Sequence, residues 1–234
     1  MRNTFIALVA MLFLTGCSEK KSDKNLQITG NIKGLKKGTL YIQELKDSTL
    51  VILDSIVFNG SSAFESDIDI KSPEMLYLFL DRGVTNSIDN NLKFFAEPGK
   101  INIDTSLEFF YAKAKVTGSK NNDLYEEYKK VNSRYTNQQL ELTVENLKDK
   151  AKLSDEALQQ QNDAILKRKY LFAINFAINN KNSEVAPYIA LAEISNANIK
   201  YLDTIQKSLT PKVADSKYGK MLSKFIAERK KLEQ

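Results

Sequence analysis

The hydrophobic pattern of this chain changes period once, near Gly118, and that change restricts the fold more than any other feature. Before it, apolar residues alternate or run in short blocks: Leu26 to Ile32, Thr39 to Ile42, Leu50 to Leu53, Ser55 to Phe58, Phe64 to Ile70 and Met75 to Leu80. Asn91 to Ala96 and Ile101 to Ile103, joined by Glu97-Pro98-Gly99-Lys100, read as a hairpin, and Phe109 to Val116 reads as a closing strand. Gly30, Gly34 and Gly38 are spaced as turn glycines, and Asn59-Gly60 marks a further turn. Short strands punctuated in this way predict an antiparallel β-sandwich or barrel over 26–119.

After Gly118 the period becomes 3.6. Leu124, Tyr128, Val131 and Tyr135 form one stripe; Leu158, Ile165, Phe172 and Phe176 form another, with Ser154 placed as its N-cap. Shorter helices are expected at 187–195 and 198–209, and a last one at 214–232 after Pro211. The whole is therefore expected to be α+β: a β domain over 26–119 and an all-helical region of about four to five helices over 120–234. No spacer separates them. Leu76, Leu78 and Leu80 alternate with Tyr77 and Phe79, so both faces of that strand need cover. One face suits an opposing sheet, and the other suits a helix stripe such as Leu158/Ile165/Phe172.

Residues 1–16 do not read as part of the fold. Arg2 precedes an apolar run from Phe5 to Leu14, which is too short to span a bilayer, for which ~20 residues are needed. It has the length of a signal-peptide core. The run ends in Leu14-Thr15-Gly16-Cys17, which matches the bacterial lipobox, and Cys17 is the only cysteine in the chain. A thiol is required there because it takes up the diacylglycerol, and small residues before it fit the peptidase. The expected mature protein begins at Cys17, carries lipid on it, and is tethered by the polar segment 17–25 to an outer membrane. Glu19 and Asp23 are outnumbered by Lys20, Lys21 and Lys24, so both the periplasmic and the surface face stay compatible with the tether.

The chain contains no histidine. Once Cys17 is acylated, no Ser-His-Asp or Cys-His nucleophile, His-bearing zinc site or CxxC pair can be assembled. No cofactor and no catalytic residue is expected. The basic excess lies late: 10 basic and 12 acidic residues in 26–117 against 20 and 15 in 118–234. There it alternates with acids at helical spacing, as on a solvated helix surface, and nucleic acid is not expected as a partner. Asp67 and Asp69 alternate with Ile68 and Ile70 and read as the wet side of a strand. Tyr125, Tyr128 and Tyr135, beside Lys129, Lys130 and Arg134, are the one candidate interaction surface; core positions with snorkelling bases are the competing reading.

Several short motifs, in order, carry a resemblance. They are Thr29-Gly30-Asn31-Ile32 with Leu35 and Leu40-Tyr41-Ile42, then Leu53-Asp54-Ser55, Phe95-Ala96-Glu97-Pro98-Gly99 and Val116-Thr117-Gly118-Ser119. As a set over about 26–130 they resemble an N-terminal domain of unknown function of exported thioredoxin-like lipoproteins of Gram-negative bacteria. Ser183-Glu184-Val185-Ala186-Pro187 and Ser216-Lys217-Tyr218-Gly219-Lys220 resemble the helical segment that joins this domain to the thioredoxin fold. The chain stops at Gln234, about where that catalytic domain would begin, so no catalytic residue carries over. The lipobox, the lack of histidine and the missing catalytic domain lead to the expectation of a non-enzymatic, membrane-anchored accessory or protein-interaction module of the cell envelope. A separate thioredoxin-like or other envelope protein is its expected partner. The alternative is a ligand-binding lipoprotein that presents glycan or peptide to an envelope transporter.

Overall fold

A computed structural model of the protein describes residues 23–83, 88–148 and 153–232; the signal peptide, the lipobox and Cys17 lie outside them. Eight strands form two four-stranded sheets, β1 (Leu26–Lys33), β2 (Lys37–Lys46), β3 (Thr49–Asn59), β4 (Ala63–Ile68), β5 (Glu74–Asp81), β6 (Asn91–Ala96), β7 (Gly99–Ser106) and β8 (Lys115–Thr117). The first sheet has the order β4-β1-β7-β8 and the second β3-β2-β5-β6. Facing each other they make a sandwich, mostly antiparallel; β1 and β7 run parallel. The helices follow as α1 (Lys120–Lys148), α2 (Asp155–Asn179), α3 (Val185–Ala192), α4 (Ile199–Ser208), α5 (Pro211–Ala214) and α6 (Lys217–Leu232). The class is α+β, and the short α5 accounts for the sixth helix.

Alternation explains the sandwich core. Leu26, Ile28 and Ile32 of β1, Leu40 and Ile42 of β2, Leu76, Leu78 and Leu80 of β5, and Ile101 and Ile103 of β7 are all buried between the sheets. Gly30 is not a turn glycine but sits inside β1. A Cβ there would lie 2.0 Å from the Ile103 carbonyl oxygen and 2.7 Å from the Phe64 ring, so the close approach of β7 needs its bare backbone. Gly34 and Gly38, at φ +88° and +148°, do flank the β1–β2 turn.

Three local readings differ from the sequence expectation. The blocks 50–53 and 55–58 are one strand, because a bulge between Ile42 and Gln43 lets β3 carry an extra residue past the gap. Glu97-Pro98-Gly99-Lys100 does not close a hairpin: it passes the chain from the second sheet to the first. Asn122 from α1 accepts the Phe95 N–H at 3.0 Å at the β6 edge, and Gly99 donates to the Asn25 carbonyl at 2.9 Å, which seats β7 on β1. Most of 109–116 is a loop. Asp89 accepts the Phe110 and Tyr111 N–H groups at 3.0 and 3.1 Å, Thr105 Oγ1 donates to the Phe110 carbonyl at 2.7 Å, and Phe110 plugs the end of the sandwich.

A second core lies on the outer face of the second sheet. Met75, Tyr77 and Phe95 meet Tyr125 of α1, Tyr188 of α3 and Tyr218 of α6. The expected cover, Leu158/Ile165/Phe172, is elsewhere. Phe172 stacks on Tyr128 at 5.5 Å between α1 and α2, because α1 leaves the sandwich against β6 and α2 can only pack behind it. Ser154 does cap α2, accepting the Ala157 N–H at 3.3 Å.

Candidate functional site

Of the three tyrosines expected from the sequence to form an interaction surface, Tyr125 and Tyr128 are core residues and Tyr135 is not. Tyr125 is 1 % exposed and Tyr128 fully buried, while Tyr135 is half-buried with its ring 6.0 Å from Phe172. Tyr125 meets Tyr188 edge-on at 5.7 Å, Tyr188 meets Tyr218 at 5.0 Å, and Phe95 lies within 5.8 Å of both Tyr188 and Tyr218. Burial drives the phenols of Tyr125, Tyr128, Tyr188 and Tyr218 well above the usual tyrosine range, so they stay neutral. Lys129 places its ammonium 5.1 Å from the Tyr125 ring, and Lys93 lies 5.7 Å from the same ring. The rings of Tyr125, Tyr188 and Tyr218 therefore join helices to sheet, and those of Tyr128 and Tyr135 join α1 to α2 through Phe172.

The polar residues that sequence reasoning passed over meet at the junction of the two halves. Glu97, on the corner after β6, accepts the backbone N–H groups of Lys120 and Asn121 at 2.8 and 3.2 Å, and so sits as an anion on the N-terminus of α1. Ser119 Oγ accepts the Asn122 N–H at 3.0 Å. Gly118, at φ +96°, allows this entry: a Cβ on it would lie 2.1 Å from the Lys100 carbonyl oxygen. The Asn121 carboxamide uses its full bonding capacity. Its Nδ2 donates to Glu97 and Glu184 at 2.8 and 3.0 Å, and its Oδ1 accepts from Ser183 Oγ and the Val185 N–H at 2.5 and 3.0 Å. One buried side chain thus ties β6, α1 and the entry to α3.

A similar tie lies one strand away. Tyr218 Oη accepts the Met75 N–H at 2.9 Å, Ser72 Oγ accepts the Lys217 N–H at 3.2 Å, and Lys217 pairs with Glu74 and, at 3.7 Å, with Glu44. Burial raises the Glu74 carboxyl above the usual carboxylate range; Lys217 opposes the shift, and the Glu44 charge adds to it. Phe95, Glu97, Ser119, Ser183, Glu184, Val185, Lys217 and Tyr218, all within the short ordered motifs, make these bonds with Asn121, Asn122, Ser72, Met75 and Glu74. A signal was there in Ser119, three residues before Asn122, and in the placement of the motifs at both edges of the period change.

Between the two ties opens a cleft of about 680 Å³, walled by Ser72 and Pro73 on the sandwich and by Leu124 and Ser216 on the helices. Of its carboxylates, Glu97 and Glu184 are engaged by N–H groups and Asp215 stands exposed beside Lys220, while Lys71, Lys120 and Lys212 are exposed at its rim. Among the described residues no group of three acidic, His or Cys side chains is arranged to hold a metal.

Residues 26–125 match the family model described as a domain of unknown function (DUF4369). The match runs past the sandwich into the first turns of α1 and ends on Tyr125, so it takes in Glu97, Gly118, Asn121 and Asn122, the residues by which the sandwich holds its first helix. No curated protein matches the chain.

Proposed function

We propose that this chain is a non-enzymatic lipoprotein, anchored through lipid on Cys17 to the outer membrane, that serves as an accessory or protein-interaction module of the cell envelope. The observation that carries this is Leu14-Thr15-Gly16-Cys17 behind an apolar leader, with Cys17 the only cysteine of 234 residues. The chemistry of the junction supports the non-enzymatic part: Glu97 and Glu184 spend their oxygens on a helix N-terminus and a carboxamide, and no imidazole is present to activate a hydroxyl. The resemblance carried by the ordered motifs supports a partner of the thioredoxin-like envelope class.

Palmitate labelling in cells tests the anchor. Cys17→Ala abolishes the label and leaves the precursor uncleaved. Normal processing with unchanged membrane fractionation would overturn the assignment. Thiol–disulfide exchange by the purified protein alone would overturn the accessory role.

A further inference from the structure

The longest hairpin of the sandwich ends in apolar residues that stand exposed among the described residues. Strands β2 and β3 pair through Gln43↔Ile52, Glu44↔Val51, Leu45↔Leu50 and Lys46↔Thr49, and close on Asp47 and Ser48, both at positive φ (46° and 68°). Leu45 and Leu50 are each 45 % exposed and Ile52 53 %, and Val51 is also exposed. Leu45 and Leu50 are direct cross-strand neighbours at the tip. Leu45, Leu50 and Ile52 share one face of the ribbon and Val51 projects from the other, so the tip is apolar on both faces.

The tip lies at the end of the molecule where the chain arrives from Cys17. Glu44, Lys46 and Leu53 of the hairpin share one cleft of about 510 Å³ with Asp69, Lys71 and Lys220. Asp69 is the residue that holds Lys24, at 2.7 Å, and the Asn25 N–H, at 3.1 Å. Asp23 is six residues beyond Cys17, so at most roughly 20 Å of extended chain separates it from the lipid. The charges around the tip are largely settled among themselves: Lys217 holds Glu44 and Glu74, Lys24 holds Asp69, and Asp215 lies 3.5 Å from Lys220. Asp47 occupies the turn itself. Lys46 and Lys71 are exposed and have no carboxylate partner among the described residues.

We propose that the tip of the β2–β3 hairpin enters the interface of the phospholipid bilayer, with Leu45, Leu50, Val51 and Ile52 at the headgroup–acyl boundary and Lys46 and Lys71 on lipid phosphates. This rests on the lipid-anchor reading and adds an orientation to it: the anchored end, with the β2–β3 tip and the start of α6 beside it, lies on the membrane. Apolar side chains flanked by long basic ones are the composition that an interfacial segment requires, because the aliphatic part gains from leaving water while the ammonium groups stay among phosphates.

The chain has no tryptophan, so one introduced indole reports its surroundings without background. The protein carrying Leu50→Trp is purified from membranes, its mass is read for lipid on Cys17, and it is reconstituted into vesicles of phosphatidylcholine and phosphatidylglycerol with brominated acyl chains. Val57→Trp is the comparison. Val57 is 75 % exposed on the same strand, and seven residues of strand place it roughly 23 Å from the tip. Leu50→Trp is expected to lose at least about half its emission to the bromines and Val57→Trp at most about a tenth, since the interface is only ~5–10 Å deep. Equal quenching of both, quenching of neither, or quenching of Val57→Trp alone overturns the proposal. A lipid-free mass sinks the anchor instead; the same vesicles, mixed with that protein, then decide the surface by itself. Lys46→Glu with Lys71→Glu in the Leu50→Trp background is expected to reduce the quenching; unchanged quenching removes the lysines from the contact.

Discussion

The molecule has two cores made by different means. Between the sheets, Leu, Ile and Phe side chains alternate inward and pack with almost no polar atom among them. Between sheet and helices the contacts are aromatic rings, phenolic hydroxyls, a saturated asparagine and carboxylates aimed at N–H groups. The aliphatic core stabilises through area removed from water, which tolerates some repacking. The junction core depends on every partner being present, because a buried polar group that loses its partner costs more than the bond contributed. The sandwich is therefore the robust part, and the junction is the part that specifies how the helices sit.

Cutting the chain after residue 119 is the most severe test of that contrast. The fragment 26–119 exposes the face carrying Met75, Tyr77 and Phe95, and it should bind a hydrophobic dye and aggregate. A soluble monomer with the melting temperature of the full chain would show that the two cores are independent. Single substitutions sharpen the comparison. Asn121→Ala leaves Glu184 and Ser183 buried without their partner, and is expected to cost about 4 kcal/mol in urea denaturation. Leu78→Ala in the aliphatic core should cost about 3 kcal/mol. If the asparagine costs less than about 1 kcal/mol, the junction is not held by its polar network.

Two hydroxyls separate satisfied from unsatisfied burial. Tyr218→Phe removes the acceptor of the Met75 N–H and should cost about 1–2 kcal/mol. Tyr128 Oη is buried and has no hydrogen-bond partner among the described residues, so Tyr128→Phe should be neutral or slightly stabilising. Equal losses at both positions would contradict the distinction.

The smallest effect is a pH dependence. Glu74 titrates above its ordinary value in the folded protein because burial outweighs its pairing with Lys217. The folded state thus favours the protonated carboxyl; this contribution is complete below the ordinary value and is lost as pH rises through the raised one. Glu74→Gln should remove that loss, so the stability difference between variant and wild type should move in favour of the variant from about pH 4 to about pH 7. A difference that stays constant with pH would show that Lys217 compensates the burial in full.

The amino-acid sequence alone determines the α+β class, the strands β1, β2, β4, β5, β6 and β7, the Ser154 cap and the change of architecture near Gly118, because these depend on alternation, helical spacing and turn chemistry within a few residues. It misses the fate of Glu97-Pro98-Gly99-Lys100, since whether a turn closes a hairpin or crosses between sheets depends on which distant edge is vacant. Asn122 occupies the edge of β6, and β1 offers its own to Gly99. The burial of Tyr125 and Tyr128 is likewise set at a distance. A tyrosine at helical spacing beside lysines suits a surface or a core; Tyr188, more than sixty residues later, closes over Tyr125, and Tyr218 packs on Tyr188 behind it. Gly30 lies in the same category: its sequence neighbours permit a turn, but the carbonyl of Ile103, 73 residues further on, leaves no room for a side chain. Local pattern fixes which elements form, and only packing decides what each one covers, because the groups that satisfy a buried edge or a ring come from elements that the local pattern does not link.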